Sequence, residues 1–265
     1  MLNFRQWGEP DRQKVVLLHG LFGDLDNLGQ AARALAENFT VITPDLPNHG
    51  ASPHSPQMSL SSMAGELRAL LDSLTSQEER LHLVGHSLGG KVAMHLALDQ
   101  PSRIQSLCVV DIAPVRYIQS RHNQVFAALK AVEQARPADR RAAEALMLPM
   151  LPDAGVRQFL LKGFIRAEAR DEAGHGSCWR FNLAAIAASY GALMGWEHEQ
   201  GRFDGPTLFI KGGASDYLSA EHQSQIVALF PAAKARIVAG AGHWLHAEQP
   251  QLFQRLLRDF LEQAR

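Results

Sequence analysis

"LHLVGHSLGGKVAMHLAL", Leu81 to Leu98, decides the fold. It opens on apolar strand formers, continues in helix formers, and the two runs meet at Ser87 with no residues left over for a loop. A strand that turns straight into a helix holds its corner residue in a strained conformation. Gly85 and Gly89, two residues before and two after the serine, let neighbouring backbone approach such a corner closely. The G-x-S-x-G spacing in this strand-then-helix context aims the Ser87 hydroxyl out of the end of a sheet.

The same rhythm repeats outward from this corner. Short apolar runs recur in "KVVLLHG", "FTVITPDL", "IQSLCVVDIAP", "PTLFIKGG" and "ARIVAGAGH", several of them apolar at consecutive positions, as strands covered on both faces are. Between them lie helical patterns such as "DNLGQAARALAENF", "SLSSMAGELRALLDSL" and the terminal "QPQLFQRLLRDFLEQ". Alternating strand and helix predicts an α/β fold with a mostly parallel central sheet, whose chemistry sits beyond the carboxyl ends of the strands. From 115 to 203 only helical patterns appear, broken by Pro and Gly. Connections in such folds usually take about 2 to 6 residues, so this stretch reads as an inserted helical cap on a core formed by 1–114 and 204–265, in preference to a separate second domain.

Composition narrows the function. A formal net charge of -1 leaves no basic footprint for nucleic acid. No signal-peptide pattern opens the chain and no apolar run reaches the roughly 20 residues needed to span a bilayer, so a cytoplasmic protein without membrane insertion is expected. The two cysteines, Cys108 and Cys178, stand in no paired spacing and are read as reduced thiols. The 12 histidines show no H-E-x-x-H or similar ligand pattern, so no metal is expected. Oligomeric state leaves no signal.

A reactive serine needs a base and donors for a developing oxyanion. "HGLFGD" follows an early strand, which points the Leu21 amide, with that of Leu88 at the helix start, into the space above Ser87 and makes Phe22 a pocket wall. The base comes from "AGAGHWLHAEQP": His243 directly follows a strand-ending turn and is preferred, whereas His246 lies near the next helix start and is read as packing or capping. Two acids stand at strand ends, Asp111 in "CVVDIAP" and Asp216 in "GGASDYLS". An ionised Asp111 among apolar neighbours is costly unless paired, while Asp216 has an ordinary turn-former explanation, so Asp111 is preferred and Asp216 stays open.

Taken together, the HG loop, the serine corner and the late "GAGHW" turn resemble the α/β-hydrolase superfamily. The finer stretches "HGLFGDLDN", "DLPNHGAS", "VVDIAPV" and "GAGHWLHAEQP" resemble the YbfF-type esterases and their mammalian abhydrolase relatives. One departure is Leu28, where many relatives carry Trp. The resemblance implies a serine carboxylesterase acting on small esters through an acyl-enzyme, without a cofactor. In the superfamily the acid usually follows the strand "PTLFIK", as Asp216 does, but this subgroup is most alike at the "DIAP" strand end. Asp45 and His49 of "PDLPNHGAS" are expected to brace the site floor. Apolar cap residues, among them Phe164, Trp179, Leu183 and Met194, are candidates for an acyl pocket. The rival readings are an acyl-CoA thioesterase, with Arg116 to Arg121 meeting a phosphorylated carrier, a menaquinone-pathway lyase on the same fold, and a binding protein without turnover.

Overall fold

Seven strands form one sheet in the computed structural model, which describes residues 1–118, 121–166, 177–198 and 201–264. They are β1 (Phe4–Trp7), β2 (Lys14–Leu18), β3 (Thr40–Pro44), β4 (Leu81–His86), β5 (Ile104–Val110), β6 (Thr207–Gly212) and β7 (Ala233–Val238), in the order β1-β3-β2-β4-β5-β6-β7. All neighbours pair in parallel except β1 with β3. The sequence pattern anticipates every parallel strand. Phe4–Trp7 escapes it, because four half-buried and exposed residues at an edge carry no apolar run. β4, at the centre, is buried along its whole length, as its unbroken apolar reading requires.

The connecting helices cover both faces. On one side α1 (Gly29–Leu35) and α10 (Pro250–Gln263) pack with Val15, Val41, Val84, Cys108 and Ile210. The other side of the same strands, including Val16, Ile42, Leu83 and Val109, faces α2 (Leu60–Leu74), α3 (Leu88–Asp99) and α8 (Gln223–Leu229). This alternation is the period-two register of each strand. A short α9 (Leu245–Glu248) precedes α10.

Between β5 and β6 the chain makes four helices among the described residues: α4 (Asn123–Ala135), α5 (Arg140–Met147), α6 (Ala154–Leu161) and α7 (Leu183–Leu193). The side chains of Asp139, Asp153 and Asn182 accept the backbone N–H groups of Ala142, Val156 and Ala185, and so start three of them. Both ends of this insertion are held by Lys91 of α3. Its buried ammonium donates to the carbonyls of Val115 at 2.9 Å, Met194 at 3.0 Å and Gly195 at 2.5 Å. A further tie joins Asn182 at the start of α7 to the backbone carbonyl of Asn48, 2.9 Å from its N–H.

Candidate active site

At the corner between β4 and α3, Ser87 has φ 52° and ψ -118°, a conformation few non-glycine residues adopt. Its N–H donates to Val110 O at 3.0 Å, which anchors the corner to the end of β5. The flanking glycines are needed sterically: a Cβ on Gly85 would lie 2.2 Å from the carbonyl oxygen of Gly89. Phe22 and Asp111 also have positive φ, 63° and 52°. Such conformations cost of order 1–3 kcal/mol each, and here they cluster around one cavity and its supporting acid.

His243 follows β7 and its tight turn. Nε2 lies 3.0 Å from Ser87 Oγ, and Nδ1 lies 2.7 Å from Asp111 Oδ2. Asp111 is fully buried at the end of β5, where three donors meet its carboxylate. Oδ1 accepts the Gly212 N–H at 3.0 Å, and Oδ2 accepts the Ser215 hydroxyl as well as His243. This pairing answers the cost of placing a carboxylate among apolar strands. Asp216, the other acid, turns to the surface instead. Its side chain is 77% exposed and is paired with Arg121, whose hydrogen bond holds the carboxyl below its usual range. The structure therefore brings Asp111, and not Asp216, to the imidazole.

Residues beside Asp216 escape a reading that looks for an acid. Ser215 supports Asp111, and the Tyr217 ring stacks on His243 with centroids 3.9 Å apart and planes 20° apart. His243 also meets the ring of His86 at 4.8 Å, and His86 Nε2–H donates to the His243 carbonyl at 2.9 Å. Within "ASDYL", Ser215 and Tyr217 face inward and Asp216 outward. His246 packs below, 4.5 Å from the His86 ring, and burial pushes its pKa down to about 3.

The loop after β2 comes up against the serine. A Cβ on Gly20 would sit 3.2 Å from Ser87 Cβ, so the Leu21 backbone enters beside the hydroxyl, while Leu88 opens α3 immediately after it. The next amide is already committed, since Phe22 N–H donates to His49 Nε2 at 3.2 Å. His49 Nδ1–H in turn donates to Pro47 O at 2.9 Å. His19 works alike, with Nδ1–H on Gly20 O at 2.8 Å and Nε2 accepting Leu46 N–H at 2.9 Å. Each ring gives one proton and accepts another, which requires neutral imidazoles. Burial pushes both pKa values down, that of His49 to about 3 with the neighbouring His19 adding to the effect. Asp45 completes the brace by accepting Leu25 N–H at 2.7 Å and Ala51 N–H at 2.9 Å.

A cavity of about 380 Å³ opens above Ser87 and His243. Phe22 and Trp244 from the sheet side and Val125, Val156, Phe159 and Leu160 from the insertion give it apolar walls, with His122 and Arg121 among the polar groups. Of the pocket candidates named from sequence, Phe22 lines this cavity; Phe164, Trp179, Leu183 and Met194 do not. They are buried or half-buried within the insertion and at its root. Trp179 stacks on Phe181 and donates its Nε1–H to Leu129 O at 3.2 Å, and Phe164 pairs with it in an isolated bridge. The largest apolar residues of a small helical layer are needed for that layer's own core, so bulk alone does not mark a pocket wall. Leu28 likewise packs with α1 beneath the sheet.

A serine at a strand-to-helix corner, an imidazole from the loop after the last strand and a buried strand-end carboxylate, on a sheet of this order, define the α/β-hydrolase architecture. The model of the alpha/beta hydrolase family matches residues 15–255, and the chain belongs to that family. It is 42% identical over 253 residues to the esterase YbfF of Escherichia coli K12, covering 96% of this chain and 94% of that protein. It is also 39% identical to the mouse sn-1-specific diacylglycerol lipase ABHD11, covering 96% of this chain and 82% of the relative. Among solved structures, a marine microorganism esterase superposes with a TM-score of 0.89 at 34% identity, covering 98% of each chain.

Proposed function

We propose that this protein is a serine carboxylesterase that hydrolyses small carboxylic esters through an acyl-enzyme. The observation that carries the reading is the continuous hydrogen-bonded path from Ser87 Oγ through His243 to the buried Asp111. His243 Nε2 takes the hydroxyl proton as Ser87 Oγ attacks the ester carbonyl carbon, and the imidazolium that forms is held by Asp111 through Nδ1–H. The amides of Leu21 and Leu88 receive the oxyanion, helped by the positive end of α3. Collapse of the tetrahedral species returns the proton to the leaving alcohol. Water, deprotonated by the same imidazole, then releases the acid and restores Ser87. Stacking by Tyr217 and the His86 bond to the His243 carbonyl limit the ring to the orientation this needs. The esterase and lipase names of the relatives support the same chemistry.

The test is labelling with a fluorophosphonate, followed by peptide mapping and a substrate panel of p-nitrophenyl esters and acyl-CoA thioesters. Modification should fall on Ser87, and the oxygen esters should be turned over. Ser87→Ala should lower the rate by on the order of 10⁶ and His243→Ala by as much, since such groups act as a unit. Thioester turnover above that of the oxygen esters would favour a thioesterase, and an unlabelled Ser87 a binding protein.

A further inference from the structure

His95 lies on α3, away from the serine corner, and is 2% exposed. Neither of its ring nitrogens has a hydrogen-bond partner among the described residues. A buried imidazole left unpartnered on both sides is costly, and native structures seldom tolerate it without a water or ion. Its surroundings supply ligands. The His198 ring, just beyond α7, lies with its centroid 4.2 Å away, and Asp99 Oδ1, one helical turn on from His95, is 3.1 Å from His198 Nε2. One donor atom from each of the three residues falls within 4.8 Å of the other two.

We propose that His95, Asp99 and His198 bind one divalent transition-metal ion of the zinc class, which fastens the C-terminal root of the helical insertion to α3. Two imidazoles and a carboxylate suit such an ion, whereas calcium and magnesium take oxygen donors. His95 and Asp99, at i and i+4, share one face of the helix. A tetrahedral ion with bonds of about 2.0–2.1 Å sets its donors about 3.4 Å apart. The Asp99–His198 side, at 3.1 Å, already meets that spacing, and the longest side, within 4.8 Å, has to shorten by up to about 1.4 Å. His198 sits in the irregular segment after α7, where the chain can make that adjustment. Its side chain is 23% exposed and that of Asp99 43%, which leaves a path for the ion and a place for water as fourth ligand.

The position defines the ion's role. His95 stands seven residues beyond Leu88, about 10 Å along the helix axis, so the ion holds the insertion and does not reach the reacting atoms. Lys91, one turn nearer the corner, already ties both roots of the insertion through Val115, Met194 and Gly195. A metal bridge to His198 adds a second tie on the same helix. The sequence expectation of no metal rests on local spacing, and only the His-x-x-x-Asp pair is local. The third ligand arrives from the far end of the insertion.

Untagged full-length protein, stripped with a chelator, is dialysed against Zn²⁺ and its metal content measured by elemental analysis. The wild type should hold one zinc per chain and gain several degrees in thermal midpoint on zinc addition, as any ligand of the folded state produces. Asp99→Asn and His198→Ala should each weaken binding at least about 100-fold, given that loss of outer partners alone typically costs 10–100-fold. Cobalt in place of zinc should give visible absorption that both variants lose. Failure of the wild type to retain zinc would overturn the proposal, and so would equal retention by wild type and both variants, which places the ion elsewhere. Asp99 is partly exposed at the end of α3, so Asp99→Asn decides the matter even where His198→Ala does not fold.

Discussion

Asp111→Asn should lower kcat about 10⁴-fold while Asp216→Asn changes it by less than about tenfold. The contrast follows from counting donors. Three groups point hydrogen at the Asp111 carboxylate: Gly212 N–H, the Ser215 hydroxyl and His243 Nδ1–H. An asparagine has one oxygen and one NH₂ at these positions. With its oxygen on Gly212, the NH₂ faces Nδ1, which must then accept; the imidazole proton moves to Nε2, pointing at Ser87, and the base is lost. With its oxygen on His243, the NH₂ meets Gly212 N–H in a buried donor-to-donor contact costing about 1–3 kcal/mol. In either orientation the charge opposite the imidazolium is gone.

A 10⁴-fold loss is about 5.4 kcal/mol of barrier at 1.36 kcal/mol per tenfold. Asp216 makes its hydrogen bond to Arg121 at a largely exposed position, where such pairs contribute little. Stopped-flow hydrolysis of p-nitrophenyl acetate by both variants, with fluorophosphonate labelling to count competent sites, measures the difference. The reasoning is refuted if Asp111→Asn keeps more than about 1% of the wild-type rate, or if Asp216→Asn loses as much as Asp111→Asn.

Short acyl esters should outrun long ones, because Phe22, Phe159, Leu160 and Trp244 crowd the cavity; Phe159→Ala, which removes a ring 5.4 Å from Trp244, should raise the octanoate-to-acetate ratio of kcat/KM several-fold. A rate that climbs steadily to palmitate in the wild type contradicts this. Acid should destabilise the fold between pH 6.5 and about 3, since His49 and His246 have native pKa values of about 3 and bind protons in that window only when unfolded. Each contributes stability that is complete above pH 6.5 and falls by up to about 1.4 kcal/mol per pH unit below it, so His49→Gln should flatten the thermal midpoint against pH. Lys91→Met should cost about 2–4 kcal/mol in urea unfolding, because Val115, Met194 and Gly195 each lose a buried donor; a cost under 1 kcal/mol would mean that water replaces the ammonium.

How far the sequence carried depended on whether a feature is local. The corner at Ser87 is encoded within five residues, because only glycine clears the contacts at 85, and the parallel strands are encoded by unbroken apolar runs that must be covered on both faces. The approach of His243 to Ser87 follows from the same logic, as both stand at carboxyl ends of strands in one sheet. The acid could be weighed because burial makes a demand: Asp111, within an apolar run, had to find donors, and it finds them at Gly212, Ser215 and His243. What the sequence could not show was pairing across the fold. Nothing in "GGASDYLS" says that its serine and tyrosine turn inward while its aspartate meets Arg121, because both outcomes satisfy a tight turn. The insertion between β5 and β6 is the harder case. Its helices reveal their starts through Asp139, Asp153 and Asn182, yet Trp179 and Phe159 are both large apolar residues in helix-rich sequence, and only the packing of one helix on another sends the first into the insertion's core and the second to the cavity wall. Much of the cavity wall therefore lies in the part of this protein where periodicity is least informative, and varying Phe159, Leu160 and Val156 on the single helix α6 is the most direct test of whether that wall sets substrate choice.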